Sequence, residues 1–198
     1  MGIEIITPPA KEPIDVGFVK SHLRVDWSDD DTYIASLITM ARQWMEQKIR
    51  RALMTQTLRY TCSITPPPPD RLVVIPSMKT LIEIPMPPTS SITTVQIGSQ
   101  IGTWATLTAT THYLSELTLT PAVLVLLPEA FDHGNGTLAP DRWRVRITYQ
   151  AGYGASETNV PMSLRVAIAR VVAYLYEHRA DPHIPDSFIP SEYKVWRL

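Results

Sequence analysis

The sequence predicts an α+β protein. A long N-terminal helix packs on a C-terminal helix to make a helical core, an antiparallel β sandwich or barrel is inserted between them, and an extended C-terminal tail follows. Three observations predict this. Apolar residues recur at spacings of three and four before residue 55 and again after residue 160. Between those stretches they alternate with polar residues, the period of a half-buried strand. Prolines cluster where the pattern changes, and each cluster stops regular structure because proline fixes φ and removes a backbone donor. The expected divisions are residues 1–54 (leader and helices), 55–150 (inserted β domain), 151–182 (closing helix) and 183–198 (tail).

Taken in order, residues 1–13 read as an extended leader. A short helix is expected from Asp15 to His22, with Asp15 as its N-cap. Tyr33, Ile34, Leu37, Ile38, Ala41, Trp44, Met45 and Ile49 then form one stripe on a helix from about Asp30 to Arg51. Asp29, Asp30 and Asp31 stand at its positive end, and Lys48, Arg50 and Arg51 at its negative end. The alternation Leu58, Tyr60, Cys62, Ile64 opens the β region. Further strands are expected at Leu72–Ile75, Ile92–Ile97, Trp104–Leu107, Tyr113–Leu117, Ala122–Leu127 and Trp143–Tyr149, separated by turn signals such as Gly98-Ser99 and His133-Gly-Asn-Gly136. Helix resumes at Pro161, a residue suited to a first helical position. Its apolar face is Leu164, Ala167, Ile168, Val171, Val172, Leu175 and Tyr176, and Asp181-Pro182 is expected to end it. No internal repeat is present.

Composition narrows the function. The chain has 198 residues, of which 44% are hydrophobic and 19% charged, a globular composition. The 18 Lys and Arg against 19 Asp and Glu give a net charge of −1. A globally basic nucleic-acid binder and an acidic tail protein are thereby excluded, though a local patch is not. The 18 prolines against 8 glycines are nearly twice the usual proline share of ~5%. The longest strongly apolar run, Ala122–Leu127, is far short of the ~20 residues of a membrane-spanning helix. The opening Met-Gly-Ile-Glu-Ile lacks the basic-then-apolar order of a signal peptide. The single cysteine, Cys62, excludes an internal disulfide.

Catalytic chemistry finds little support. His178, Asp181 and His183 are the nearest approach to a metal constellation, but a helix C-terminus favours such residues through its dipole. Asp29-Asp30-Asp31 suits magnesium, and suits helix capping better. No Gly-x-Ser-x-Gly is present, and Ala151-Gly-Tyr-Gly154 lacks the lysine and spacing of a phosphate loop. Cys62, between apolar positions of a strand, reads as a buried structural thiol. No cofactor or metal is expected.

Surfaces are more informative. Arg142, Arg144 and Arg146 alternate with Trp143, Val145 and Ile147, so one face of that strand is basic. It could meet DNA phosphates, or be an ion-paired sheet face. Between Met86 and Leu127 the one charged residue is Glu116, which suits either a protein interface or a threonine-rich sheet. Phe188, Ile189, Tyr193, Val195, Trp196 and Leu198 on a proline-rich segment read as anchors for a partner's groove, or as a tail folded back on its own domain.

Two stretches together resemble the phage head–tail connector family, the head-completion or adaptor proteins found also in gene-transfer-agent particles. The first is His22-Leu-Arg-Val-Asp26 with Asp29-Asp30-Asp31, Ala41-Arg42, Glu46 and Arg51-Ala-Leu-Met-Thr-Gln-Thr57. The second is Val145-Arg-Ile-Thr-Tyr-Gln-Ala-Gly-Tyr-Gly154 with Val160-Pro161, Leu164-Arg165, Ala167-Ile168 and Tyr176-Glu-His-Arg179. Ile84-Pro-Met-Pro-Pro88 resembles the linker into the β region, and variants with a β insertion are the most similar. The resemblance implies a structural protein and not an enzyme. It implies a ring, usually dodecameric, under the portal protein at the head–tail junction of a virion assembled in the bacterial cytoplasm. Such a ring extends the DNA channel and docks the next connector (stopper) or a tail-completion protein, with no membrane involved. On that resemblance Ile189, Tyr193, Val195, Trp196 and Leu198 are the expected portal contacts, and Arg142, Arg144 and Arg146 a candidate surface for DNA in the channel. The alternatives are a small DNA-binding packaging factor and a metal-dependent hydrolase using His178, Asp181 and His183.

Overall fold

A computed structural model describes residues 2–64, 80–98, 103–133, 143–179 and 183–193. The chain forms two compact units. One comprises Pro9–Thr55 and Gly152–Leu198, the other Met1–Pro8 and Gln56–Ala151.

The first unit is helical. Helix α1 spans Val16–Leu23 and begins as its sequence dictates, with the Asp15 carboxylate accepting from the Phe18 N–H at 2.6 Å. Helix α2 spans Asp31–Ile49, and helix α3 Met162–Glu177 after Pro161. The stripes of α2 and α3 meet in one core. Ile34, Leu37, Ile38, Ala41, Met45 and Ile49 pack with Leu164, Ala167, Ile168, Val171, Val172 and Leu175. Arg42 and Glu46 are buried as well. Arg42 binds Glu12 at 2.7 Å and Glu46 at 2.9 Å, and Glu46 accepts the Leu53 N–H at 2.8 Å. Burial pushes the Glu46 carboxyl above the usual carboxylate range, opposed by that N–H and by Arg42.

Asp30 stands at the N-cap of α2 and Asp31 in its first turn. Asp30 makes no side-chain capping bond. Its carboxylate instead accepts from the Tyr176 hydroxyl, with Arg179 3.7 Å away, while Asp31 pairs with Lys20 at 2.9 Å. They tie α2 to α3 and α1, which a local capping rule does not foresee. Helix α3 ends at Glu177, short of Asp181-Pro182, where the His178 N–H returns to the Tyr174 carbonyl.

Glycine is required where the chain re-enters this unit. The Tyr153 N–H donates to the Leu53 carbonyl at 3.1 Å and the Thr55 N–H to the Gly154 carbonyl at 3.0 Å. Gly152 has φ +123°, and a Cβ there would lie 2.3 Å from the Met54 carbonyl oxygen.

The second unit holds two antiparallel sheets. Its strands are β1 Gly2–Thr7, β2 Gln56–Ile64, β3 Thr80–Glu83, β4 Thr89–Gly98, β5 Trp104–Thr106, β6 Tyr113–Glu116, β7 Val123–Leu126 and β8 Trp143–Ala151. The larger sheet has the order β1-β2-β8-β4-β5, the smaller β3-β7-β6. Among the described residues neither sheet closes on itself, so the barrel alternative is excluded. Alternation along β8 buries Trp143, Val145, Ile147 and Tyr149. Leu58, Cys62, Val95 and Ile97 are buried too. Burial pushes the Cys62 thiol up, as for a structural cysteine. The Tyr149 hydroxyl donates to the Pro85 carbonyl at 2.7 Å.

Two expectations need correction. Residues 2–7 are not a leader but strand β1, with Ile3 opposite Tyr60 and Ile5 opposite Leu58. Residues 183–193 are not an extended tail. They make two 3-10 turns, Asp186–Phe188 and Ser191–Tyr193, and place Ile184 and Ile189 in the helical core. The apolar side chains hold that segment against the pull of its prolines. The strand expected at Leu72–Ile75 lies outside the described residues. No helix among those described is long and apolar enough to cross a membrane.

Candidate assembly surfaces

Ile189, expected to reach a partner, is 8% exposed and belongs to the helical core. Tyr193 is half-buried against that core, with the Arg51 guanidinium 5.8 Å from its ring. Other contacts fasten the same segment. Lys48 reaches Asp186 at 2.7 Å, and the Phe188 ring lies 5.6 Å from Tyr174 and 5.3 Å from the Arg170 guanidinium. The Ile189 side chain thus packs into the chain's own core, as the folded-back reading of the tail expects. Val195, Trp196 and Leu198 lie outside the described residues.

The basic row is real for two of its three arginines. Arg144 is exposed and Arg146 half-buried on one face of β8, and Arg142 lies outside the described residues. Register places their neighbours. Arg144 stands opposite Ser63 and Gly98, and Arg146 opposite Thr61 and Gln96. Arg59 stands on the same face, opposite Thr148 and Glu4, and its guanidinium is 3.4 Å from the Glu4 carboxylate. Trp104 on β5, opposite Gly98, supplies the surface on which the arginines rest. The Arg146 guanidinium is 4.0 Å from its ring centroid and that of Arg144 5.8 Å. A Cβ on Gly98 would lie 3.0 Å from that ring, so glycine lets the indole lie close over the strand. Strand alternation reveals the arginines; Trp104 needs the β4–β5 register, which no local pattern supplies.

Among the described residues, the remaining candidates do not converge on a reaction centre. The His178 ring stacks on Tyr174 at 4.2 Å and its Nδ1 contacts the Tyr174 carbonyl. Asp181 lies outside the described residues. Among those described, no three His, Cys, Asp or Glu side chains gather as metal ligands would.

Comparison with known proteins agrees with the resemblance. Residues 14–83 match the model of the family described as phage gp6-like head-tail connector protein. Comparison with curated proteins finds no match. Among solved structures, the fold is similar to a chain in the virion of the native gene transfer agent particle (TM-score 0.72, 19% identity). It is similar also to chains in the neck of the empty particle computed with C6 symmetry (0.71, 18%) and of the native particle computed with C12 symmetry (0.69, 18%). Each likeness covers 100% of this chain and 97% of the other. The head–tail connector signature thus occupies residues 14–83, and the full chain has the fold of a protein found in gene-transfer-agent particles.

Proposed function

We propose that this protein is a head–tail connector. Copies form a ring under the portal protein of a phage-like particle, extend the DNA channel, and present a platform to the next connector or the tail-completion protein. One observation carries the reading: the connector signature at residues 14–83 runs from α1 and α2 into β2 and β3 of a chain whose whole length shares the fold of gene-transfer-agent proteins. The C12 symmetry named for one such neck supports a ring of twelve. The role is structural, with no reaction catalysed and assembly in the bacterial cytoplasm.

Within this reading the portal contact belongs to Val195, Trp196 and Leu198, with Tyr193 at its base and Ile189 as the fixed point behind it. A segment that leaves a docked base has less conformational freedom to lose on binding. The test is co-sedimentation with portal-bearing heads, comparing the full chain with one ending at Tyr193. That cut spares Ile189, so the shortened chain keeps its core. Binding by the full chain alone is the expected result. Equal binding moves the contact to the helices or sheets, and no binding by either overturns the connector reading. The accessible row of Arg144 and Arg146 then meets either the DNA in the channel or a neighbouring subunit.

A further inference from the structure

Resting on the ring reading, we infer that the Trp104–Arg144–Arg146 face of the larger sheet docks on the smaller sheet of a second copy of this chain. The smaller sheet presents an unusual outer surface. Leu81, Val125 and Leu114 stand in one cross-strand row, with Leu81 60% and Leu114 44% exposed. The next row is Glu83, Val123 and Glu116, so an exposed carboxylate stands on each outer strand beside the apolar row. The two carboxylates are two strand spacings apart, about 10 Å. Thr118 donates both its hydroxyl and its N–H to Glu116, which fixes that carboxylate as an acceptor facing outward.

A solvated sheet face carries polar residues at alternate positions. Here those positions hold two leucines and two valines, with both leucines exposed and the valines half-buried between them.

The occupant is argued from complementarity. The larger sheet offers an indole for the apolar row and two guanidinium groups for the two carboxylates. Tryptophan and arginine are the residues that most often carry interface energy. A closed ring also requires two different, mutually complementary surfaces on one chain, joined head to tail. The acidic-apolar face and the basic-aromatic face meet that requirement. DNA is the rival occupant of the arginine face, but it gives no partner to Leu81 and Leu114.

The test is a charge exchange. One variant carries Glu83→Arg and Glu116→Arg, the other Arg144→Glu and Arg146→Glu. Glu83, Glu116 and Arg144 are exposed and Arg146 is half-buried, so circular dichroism is used to confirm that each variant folds. Self-association is measured by sedimentation at rising concentration and by subunit number on portal-bearing heads. Each variant alone should associate about tenfold more weakly or worse, because like charges then face each other. An equimolar mixture should recover association, since both of its unlike contacts are complementary. Association by each variant equal to wild type overturns the interface and leaves the connector reading standing. So does a mixture that fails to recover. Loss of duplex DNA binding in the arginine variant with unchanged ring assembly assigns the face to DNA instead. A wild-type chain that binds portal-bearing heads only as isolated subunits overturns the interface alone; failure to bind the heads at all overturns the connector reading as well.

Discussion

The Asp30–Tyr176–Arg179 contact shows how a side chain placed by a local rule takes up a tertiary role. The Tyr176 hydrogen bond, aided by Trp27 and Arg179 and opposed by burial, holds the Asp30 carboxyl below its ordinary value. The same bond holds the Tyr176 phenol above its own. The signs differ for the two groups. Asp30 has a folded pKa below its unfolded one, so its contribution is full above about pH 4 and is lost as pH falls through the folded value. Tyr176 has a folded pKa above its unfolded one, so its contribution is full below about pH 10 and is lost as pH rises through the folded value. The urea midpoint of Asp30→Asn should therefore fall less steeply than wild type between pH 4 and pH 2. Parallel acid limbs for the two proteins would show that the carboxylate adds no pH dependence.

Elements whose order is local were legible in the sequence; elements ordered by distant partners were not. The α2 and α3 stripes and the Asp15 cap are written in spacings of three and four and in one capping residue. The alternation of β8 likewise displays Arg144 and Arg146 directly. Strand β1 is different. All of its residues are exposed, and it is a strand because β2 pairs with it. The 3-10 segment at 186–193 is ordered by Ile184 and Ile189, which a proline-rich sequence disguises as anchors for a partner. The Leu81–Val125–Leu114 row needed the β3–β7–β6 register, in which Leu81 pairs with Val125, forty-four positions away. If the segment is a docked strap, Ile189→Ala should lower stability by about 2–5 kcal/mol, as for other buried large-to-small changes. Urea unfolding checks this, and a change under 0.5 kcal/mol, about that of a surface substitution, would mean that Ile189 is free for a partner.

At the scale of the whole molecule, the two units have different grounds for stability. The helical unit has one continuous core drawn from both chain segments, including Ile14, Met45, Leu53, Val160, Ile168 and Ile189. Its two inner ends are held together by backbone bonds between Leu53–Thr55 and Tyr153–Gly154. A short Gly-Ser linker can therefore join Thr55 to Gly152 without stretching the chain, and loop closure by a few residues costs little. We predict that residues 9–55 and 152–198, joined in this way and lacking the β unit, fold alone. Circular dichroism should show helix, and urea unfolding should be one cooperative transition. This shortened chain retains residues 194–198, so it should still bind portal-bearing heads while failing to form the sheet-to-sheet contact between copies. A chain that folds but no longer binds heads would place the portal contact in the β unit. One that never folds would mean that the core visible in the helical unit depends on the inserted sheets.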